Sequence, residues 1–141
     1  MDALGALRAL GHDRFRPGQR EAVDALLDGR DVQVLLPTGG GKSGCYQVPA
    51  LALHAAGKGP TLVVSPLVAL MDDQVAALRA RGIAAVALHR STPWRTRDRV
   101  LADPSSQVLV YASPERLSSA AVRRKLAGRV ARVAVDEAHC I

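Results

Sequence analysis

Cysteine is scarce in this chain: only Cys45 and Cys140 occur among 141 residues, far apart and without metal-ligand spacing. A disulfide framework and a structural zinc site are therefore not expected, and reduced, partly buried thiols are. Aromatic residues are as scarce: Phe15, Tyr46, Trp94 and Tyr111 are the four present. A core must come mainly from Leu, Val and Ala, and few rings remain for stacking on bases. No window holds the roughly 18 unbroken apolar residues of a membrane span. The opening "MDALGALRAL" lacks the basic start and cleavage site of a signal peptide. A cytoplasmic location without a membrane partner is the expectation. Acidic residues are outnumbered, 13 against 19 basic, giving a net charge of +6 that favours a polyanion such as nucleic acid. The basic clusters Arg95, Arg97, Arg99 and Arg123, Arg124, Lys125 read first as solvated helix faces.

What is present is a set of short apolar runs: "VQVLL" from 32, "TLVVS" from 61, "AAVAL" from 84, "QVLVY" from 107 and "RVAV" from 132. Continuous apolar runs suit parallel strands covered on both faces, because a half-exposed strand would alternate. Helical patterns lie between them. "LVALMDDQVAALRARG" aligns Leu67, Leu70, Met71, Val75 and Leu78 on one stripe, with Gly82 as terminator, and "GQREAVDALLDGR" does the same with Val23, Leu26 and Leu27, closed by Gly29. At 141 residues with strand-to-strand spacings of 23 to 29, the chain predicts one α/β domain with a parallel sheet and right-handed crossovers.

In such folds ligands gather at the carboxyl ends of strands. After "VQVLL" comes "PTGGGKS", in which Thr38, Gly39, Gly40 and Gly41 allow the backbone to curl around a phosphate and a helix to begin at about Lys42. Lys42 would reach the β and γ phosphates, and the Ser43 hydroxyl would ligate Mg²⁺. Leu36 stands where the strict phosphate-loop pattern has glycine, so the stretch alone also fits an ordinary glycine-rich connection. Asp136 follows Lys42 by 94 residues at the end of the fifth run. A carboxylate there can hold Mg²⁺ through water, and Glu137 beside it can orient and deprotonate an attacking water. Asp-Glu alone is also a common helix start. Together the two stretches indicate a nucleoside triphosphatase that uses Mg²⁺.

"FRPGQREAV" at 15 to 23, "LPTGGGKSGCYQVPAL" at 36 to 51, "VVSPLVALMDDQV" at 63 to 75, "YASPERL" at 111 to 117 and "AVDEAHCI" at 134 to 141 appear in one order. With them the chain closely resembles the RecQ family of DNA helicases within superfamily 2. That resemblance implies a RecA-like α/β/α phosphate-loop fold, residues 1–141 as the N-terminal part of the first motor lobe, and ATP-driven strand unwinding of 3′-5′ type. Its implied partner is DNA, single-stranded or carrying a single-stranded end, and its implied setting is repair and recombination. By the resemblance Gln19 reads the adenine edge with its paired donor and acceptor, and Arg16 lies on the adenine face. His12 stands where relatives often carry an aromatic residue. Lys42, Ser43, Asp136 and Glu137 take the roles already argued from their chemistry, and His139 couples hydrolysis to the nucleic-acid site.

Ser65 and Ser113 are each followed by proline, Pro66 and Pro114, and can cap helices. The resemblance makes these two segments a track for the DNA backbone. Pro49 is expected to bend or end the helix after the glycine loop. The family needs a second motor lobe, which these residues do not encode, and a strand between the phosphate-loop strand and the Asp136 strand. That strand normally comes from sequence after the Asp-Glu motif. A sheet gapped at its centre is therefore expected, and the isolated chain is not expected to unwind DNA. Two other readings stay open: a non-catalytic nucleotide- or DNA-binding module, and an RNA helicase lobe.

Overall fold

Four of the five apolar runs become strands, and all four lie in one sheet. A computed structural model of the chain describes residues 1–36 and 41–140, and these divide into two compact units, Met1–Gly57 and Lys58–Ile141.

The first unit is helical: α1 (Ala3–Ala9), α2 (Gln19–Leu27) and α3 (Gly44–Ala55). α1 is capped by Asp2, whose carboxylate accepts the Gly5 N–H at 2.8 Å. α2 buries Ala22 and Val23, leaves Leu26 and Leu27 half-buried, and ends before Gly29, which takes the expected left-handed φ of 84°. α3 carries Pro49 in its interior and still runs on to Ala55. Proline therefore does not end this helix. Pro49 is fully buried, so packing offsets the main-chain bond that proline cannot donate.

"VQVLL" does not form the predicted strand. Residues 32 to 36 have no regular secondary structure, and Leu35 is 85% exposed. β propensity supplies no ladder by itself, and among the described residues of the first unit there is no strand for the run to pair with.

The second unit contains β1 (Thr61–Val64), α4 (Val68–Ala80), β2 (Ala85–Leu88), α5 (Trp94–Ala102), β3 (Leu109–Ala112), α6 (Pro114–Leu117), α7 (Ala120–Leu126) and β4 (Arg132–Val135). All pairings are parallel and the order is β2-β3-β1-β4. Among the described residues the sheet ends at β4, with no further strand paired to its outer side, as expected of an incomplete sheet.

Leu62, Val64, Val86, Leu88, Val110 and Ala112 alternate along β1, β2 and β3 and form one core with Val100, Leu101, Val122 and Leu126 from α5 and α7. Val63, Leu109 and Tyr111, on the opposite face, are equally buried, as predicted for strands covered on both sides. β4 departs from this: Val133 and Val135 are 56% and 51% exposed. On α4, Met71, Val75 and Leu78 are buried, whereas Leu67 and Leu70 of the predicted stripe are exposed. Gly82 has the expected left-handed φ of 76°. Among the described residues no helix is long and apolar enough to cross a membrane.

Candidate functional site

Gln19 opens α2 and is buried, although an amide at a helix start ordinarily faces water. Its position follows from two bonds. Oε1 accepts the Arg16 N–H at 2.8 Å, and Nε2 donates to the Gly41 carbonyl at 2.7 Å. These partners fix the orientation of the amide. The "RPGQ" turn is thereby fastened to the far end of the glycine-rich stretch, 22 residues on.

Thr38, Gly39 and Gly40 lie outside the described residues. At Gly41 the need for glycine is explicit: φ is 80°, and a Cβ would overlap the Gln19 amide and come within 3.2 Å of Arg16 Cδ. Gly44 is similarly confined, since a Cβ there would lie 2.8 Å from Gln19 Nε2. From Gly41 the chain turns directly into α3: the Gly44, Cys45 and Tyr46 N–H groups donate to the Gly41, Lys42 and Ser43 carbonyls. The start at about Lys42 is thus close to what forms. Ser43 is the N-cap of α3 but makes no side-chain cap bond. Cys45 is a buried free thiol, and burial pushes its pKa up.

At the other end of the chain, Asp136 immediately follows β4, its N–H continuing the ladder to the Val64 carbonyl at 2.9 Å. Its Oδ1 accepts the Glu137 N–H at 2.9 Å. Glu137 has a φ of 52°, the one non-glycine positive value among the described residues. Its carboxylate lies 3.3 Å from His139 Nε2. Glu137 is the more enclosed of the two, with a side chain 22% exposed against 75% for His139.

The parallel register places the residues after the strands along one sheet edge, because Leu88, Ala112, Val64 and Val135 are aligned partners. His89, Ser113, Ser65 and Asp136 therefore follow one another along that edge. Ser113 caps α6 as expected, its hydroxyl accepting the Arg116 N–H at 3.3 Å. Ser65 does not cap α4. That helix starts only at Val68, and the Ser65 hydroxyl instead accepts the Leu67 N–H at 3.2 Å in a two-residue turn. Pro66 accordingly lies outside the helix. Both serines are buried, and their own N–H groups donate to the Ala112 and Leu88 carbonyls. A phosphate contact in these segments would fall to amides beyond Pro66 and Pro114.

The sequence reading passed over His89, which is 5% exposed and organises this edge. Its Nδ1 accepts the Ser91 N–H at 3.1 Å, so Nε2 carries the hydrogen directed at Asp72 Oδ1, 2.8 Å away on α4. Its N–H donates to Thr92 Oγ1 at 2.9 Å, and its carbonyl accepts from Arg116 Nη2 at 3.0 Å on α6. One residue thus ties the loop after β2 to the helices that follow β1 and β3. The available signal was its place: "HRST" directly follows an apolar run, as "SPL" and "SPE" do.

The residues fit a nucleotide and its metal. A phosphate is held by backbone amides that curl inward, and the left-handed φ of 80° at Gly41 suits such a curl, while the space of its missing Cβ is taken by the Gln19 amide. No group of three or more potential metal ligands exists among the described residues. Mg²⁺ at a phosphate, however, needs only one or two protein oxygens beside phosphate and water, and the Ser43 hydroxyl is a donor of that kind.

Residues 16–141 match the family model described as DEAD/DEAH box helicase. The chain belongs to that family. It is 47% identical over 142 residues to the "ATP-dependent DNA helicase RecQ" of Synechocystis, an alignment that covers 96% of this chain and 29% of that protein. It is 46% identical over 135 residues to the "ATP-dependent helicase SGS1" of Saccharomyces cerevisiae, covering 90% of this chain and 9% of that one. The chain therefore spans less than a third of either relative. The solved structure of the DUF1998 helicase MrfA bound to DNA and AMPPNP superposes with a TM-score of 0.82 at 23% identity, over 99% of this chain and 21% of that one. At that identity the likeness establishes the α/β fold.

Proposed function

We propose that residues 1–141 are the N-terminal part of the first motor lobe of a RecQ-type, ATP-dependent DNA helicase acting in the cytoplasm. In this reading the chain binds Mg-ATP and the backbone of single-stranded DNA. Coupling of hydrolysis to 3′-5′ unwinding requires a second motor lobe, and the isolated chain is not a competent helicase.

The observation that carries this reading is the clasp of Gln19 on Gly41. It joins two stretches that the sequence singled out for the same ligand, the adenine-reading "RPGQ" and the phosphate-binding glycines. With one N–H and one lone pair engaged by Gly41 and Arg16, the amide retains one of each, the complement of an adenine edge.

The remaining roles follow from chemistry. Arg16 offers a planar cation to the base. Thr38, Gly39, Gly40 and Gly41 give backbone amides to the phosphates, while Lys42 neutralises their charge. Ser43 and Asp136 would hold Mg²⁺, Asp136 through water, and the ion when bound would draw charge from the phosphate oxygens. Glu137 accepts the proton of the attacking water, and His139, against its carboxylate, positions it and relays its state. The segments at Ser65-Pro66 and Ser113-Pro114 carry DNA phosphates without reading bases, so affinity falls with salt and is nearly independent of sequence.

Lys42→Ala tests the reading in a titration with Mg-ATP, where a loss of about 100-fold or more in affinity is expected from removing a charge-assisted contact. Unchanged affinity would remove the glycine stretch from the nucleotide site.

A further inference from the structure

The loop after β2 and the first half of α5 carry charge and a ring that the proposed function leaves unused. Residues 90 to 99, "RSTPWRTRDR", hold four arginines and one aspartate, a net +3 out of +6 for the whole chain. Asp98 is bound by Arg97, with Nη2 at 3.2 Å, and Arg90, Arg95 and Arg99 are exposed. At the start of α5 stands Trp94, 61% exposed, with the Arg95 guanidinium 5.1 Å from the ring centroid. Tyr111 is buried, and Phe15 and Tyr46 are half-buried. Trp94 is thus the one aromatic residue this chain presents openly to solvent.

Its place gives the patch a direction. β2 is the outer strand on one side of the sheet, beside β3 and then β1. A strand running past the ends of β1 and β3, by Ser65 and Ser113, and continuing outward would next meet the loop from His89 to Thr92, then Trp94. The steps are short, about 4.8 Å per strand. The loop is rigid, because His89 and Thr92 are bonded to each other and to Asp72, Ala87 and Arg116. The ring therefore stands on a fixed platform.

We propose that Trp94, flanked by Arg90, Arg95 and Arg99, is a base-stacking platform that extends the single-stranded DNA track beyond the end of β2. The chemistry selects this partner: exposed guanidinium groups neutralise phosphates, and an indole face accepts an unpaired base of any identity. Arg95 occupies one side of the ring, leaving the other to a base. A base inside a duplex has both faces covered by its stacked neighbours, so the platform favours single strands over duplex. This inference rests on the DNA reading of the proposed function.

Trp94 is the chain's only tryptophan, so its emission reports this site alone. The full chain is titrated with fluorescently labelled oligothymidylate, following label anisotropy for binding and indole emission for stacking. An abasic deoxyribose-phosphate strand of equal length serves as the control. Expected are saturating quenching by the oligothymidylate in step with anisotropy, and none by the abasic strand. Trp94→Ala should weaken binding by about 5- to 150-fold, Trp94→Phe should restore most of it, and each of Arg95→Ala and Arg99→Ala should lower the log-log salt slope by about 0.7. Binding with unmoved emission overturns the platform alone. Absence of binding by either readout overturns the DNA reading as well. Emission that shifts with protein concentration in the absence of DNA assigns the surface to a second copy, and so overturns the proposal.

Discussion

Gly41 in the first unit and Ser65, Ser113 and Asp136 in the second are all end-of-segment positions with assigned chemistry, but they are held differently. Gly41 is fastened by a side-chain amide, from Gln19. The three strand-end residues are held by main-chain ladder bonds to Ala112, Leu88 and Val64, in a sheet whose central strands are buried on both faces. Removing one side chain cannot erase a ladder. It can erase a clasp, so the glycine stretch should be the more easily disabled and the sheet edge the more tolerant.

The largest effect expected on the second unit comes from its core. Tyr111→Ala should destabilise it by about 3–5 kcal/mol, seen as faster amide exchange across β1, β2 and β3. Exchange that stays slow in those strands would mean that the sheet is not one cooperative unit. Next is Gln19→Ala, which leaves the Gly41 carbonyl and the Arg16 N–H without this partner, at a cost of about 1–3 kcal/mol. Mg-ATP affinity should fall about tenfold while exchange in β1 to β3 stays as in the parent. Affinity equal to the parent would show that the clasp is not what holds the loop. Ser113→Ala, which removes a cap, should cost about 1 kcal/mol and appear in the exchange of the Arg116 amide; no change there would reduce the cap to a coincidence of geometry. Smallest is a rate effect at Cys45. Burial and the raised pKa keep its thiolate fraction low at neutral pH, so in a Cys140→Ser background it should alkylate more slowly than in urea. Equal rates would place the thiol at the surface.

Much of the second unit was legible because four apolar runs of uniform character have neighbours to pair with. "VQVLL" carries the same signal and fails, since a strand is a property of two segments and periodicity describes one. The two Ser-Pro pairs make the point at smaller scale. "SPER" puts Glu115 in the first turn, where the helix dipole favours it, and Ser113 caps at once; "SPLV" leads into a first turn with no acidic residue, and the helix waits until Val68. Gln19 was legible as a site residue but not as a clasp, because its partner lies 22 positions away. His89 escaped notice because its partners, Asp72 and Arg116, flank it by 17 and 27 positions and no spacing rule links them.

The backbone at Glu137 has one more consequence. A branched-away carbon at a φ of 52° costs on the order of 1 kcal/mol that glycine would not, and asparagine would bear more lightly. A search for thermostable variants of this chain would therefore be drawn to that position, and would gain robustness there by discarding the one carboxylate assigned to take a proton from water. In the proposed reading, durability and turnover would pull in opposite directions on a single side chain.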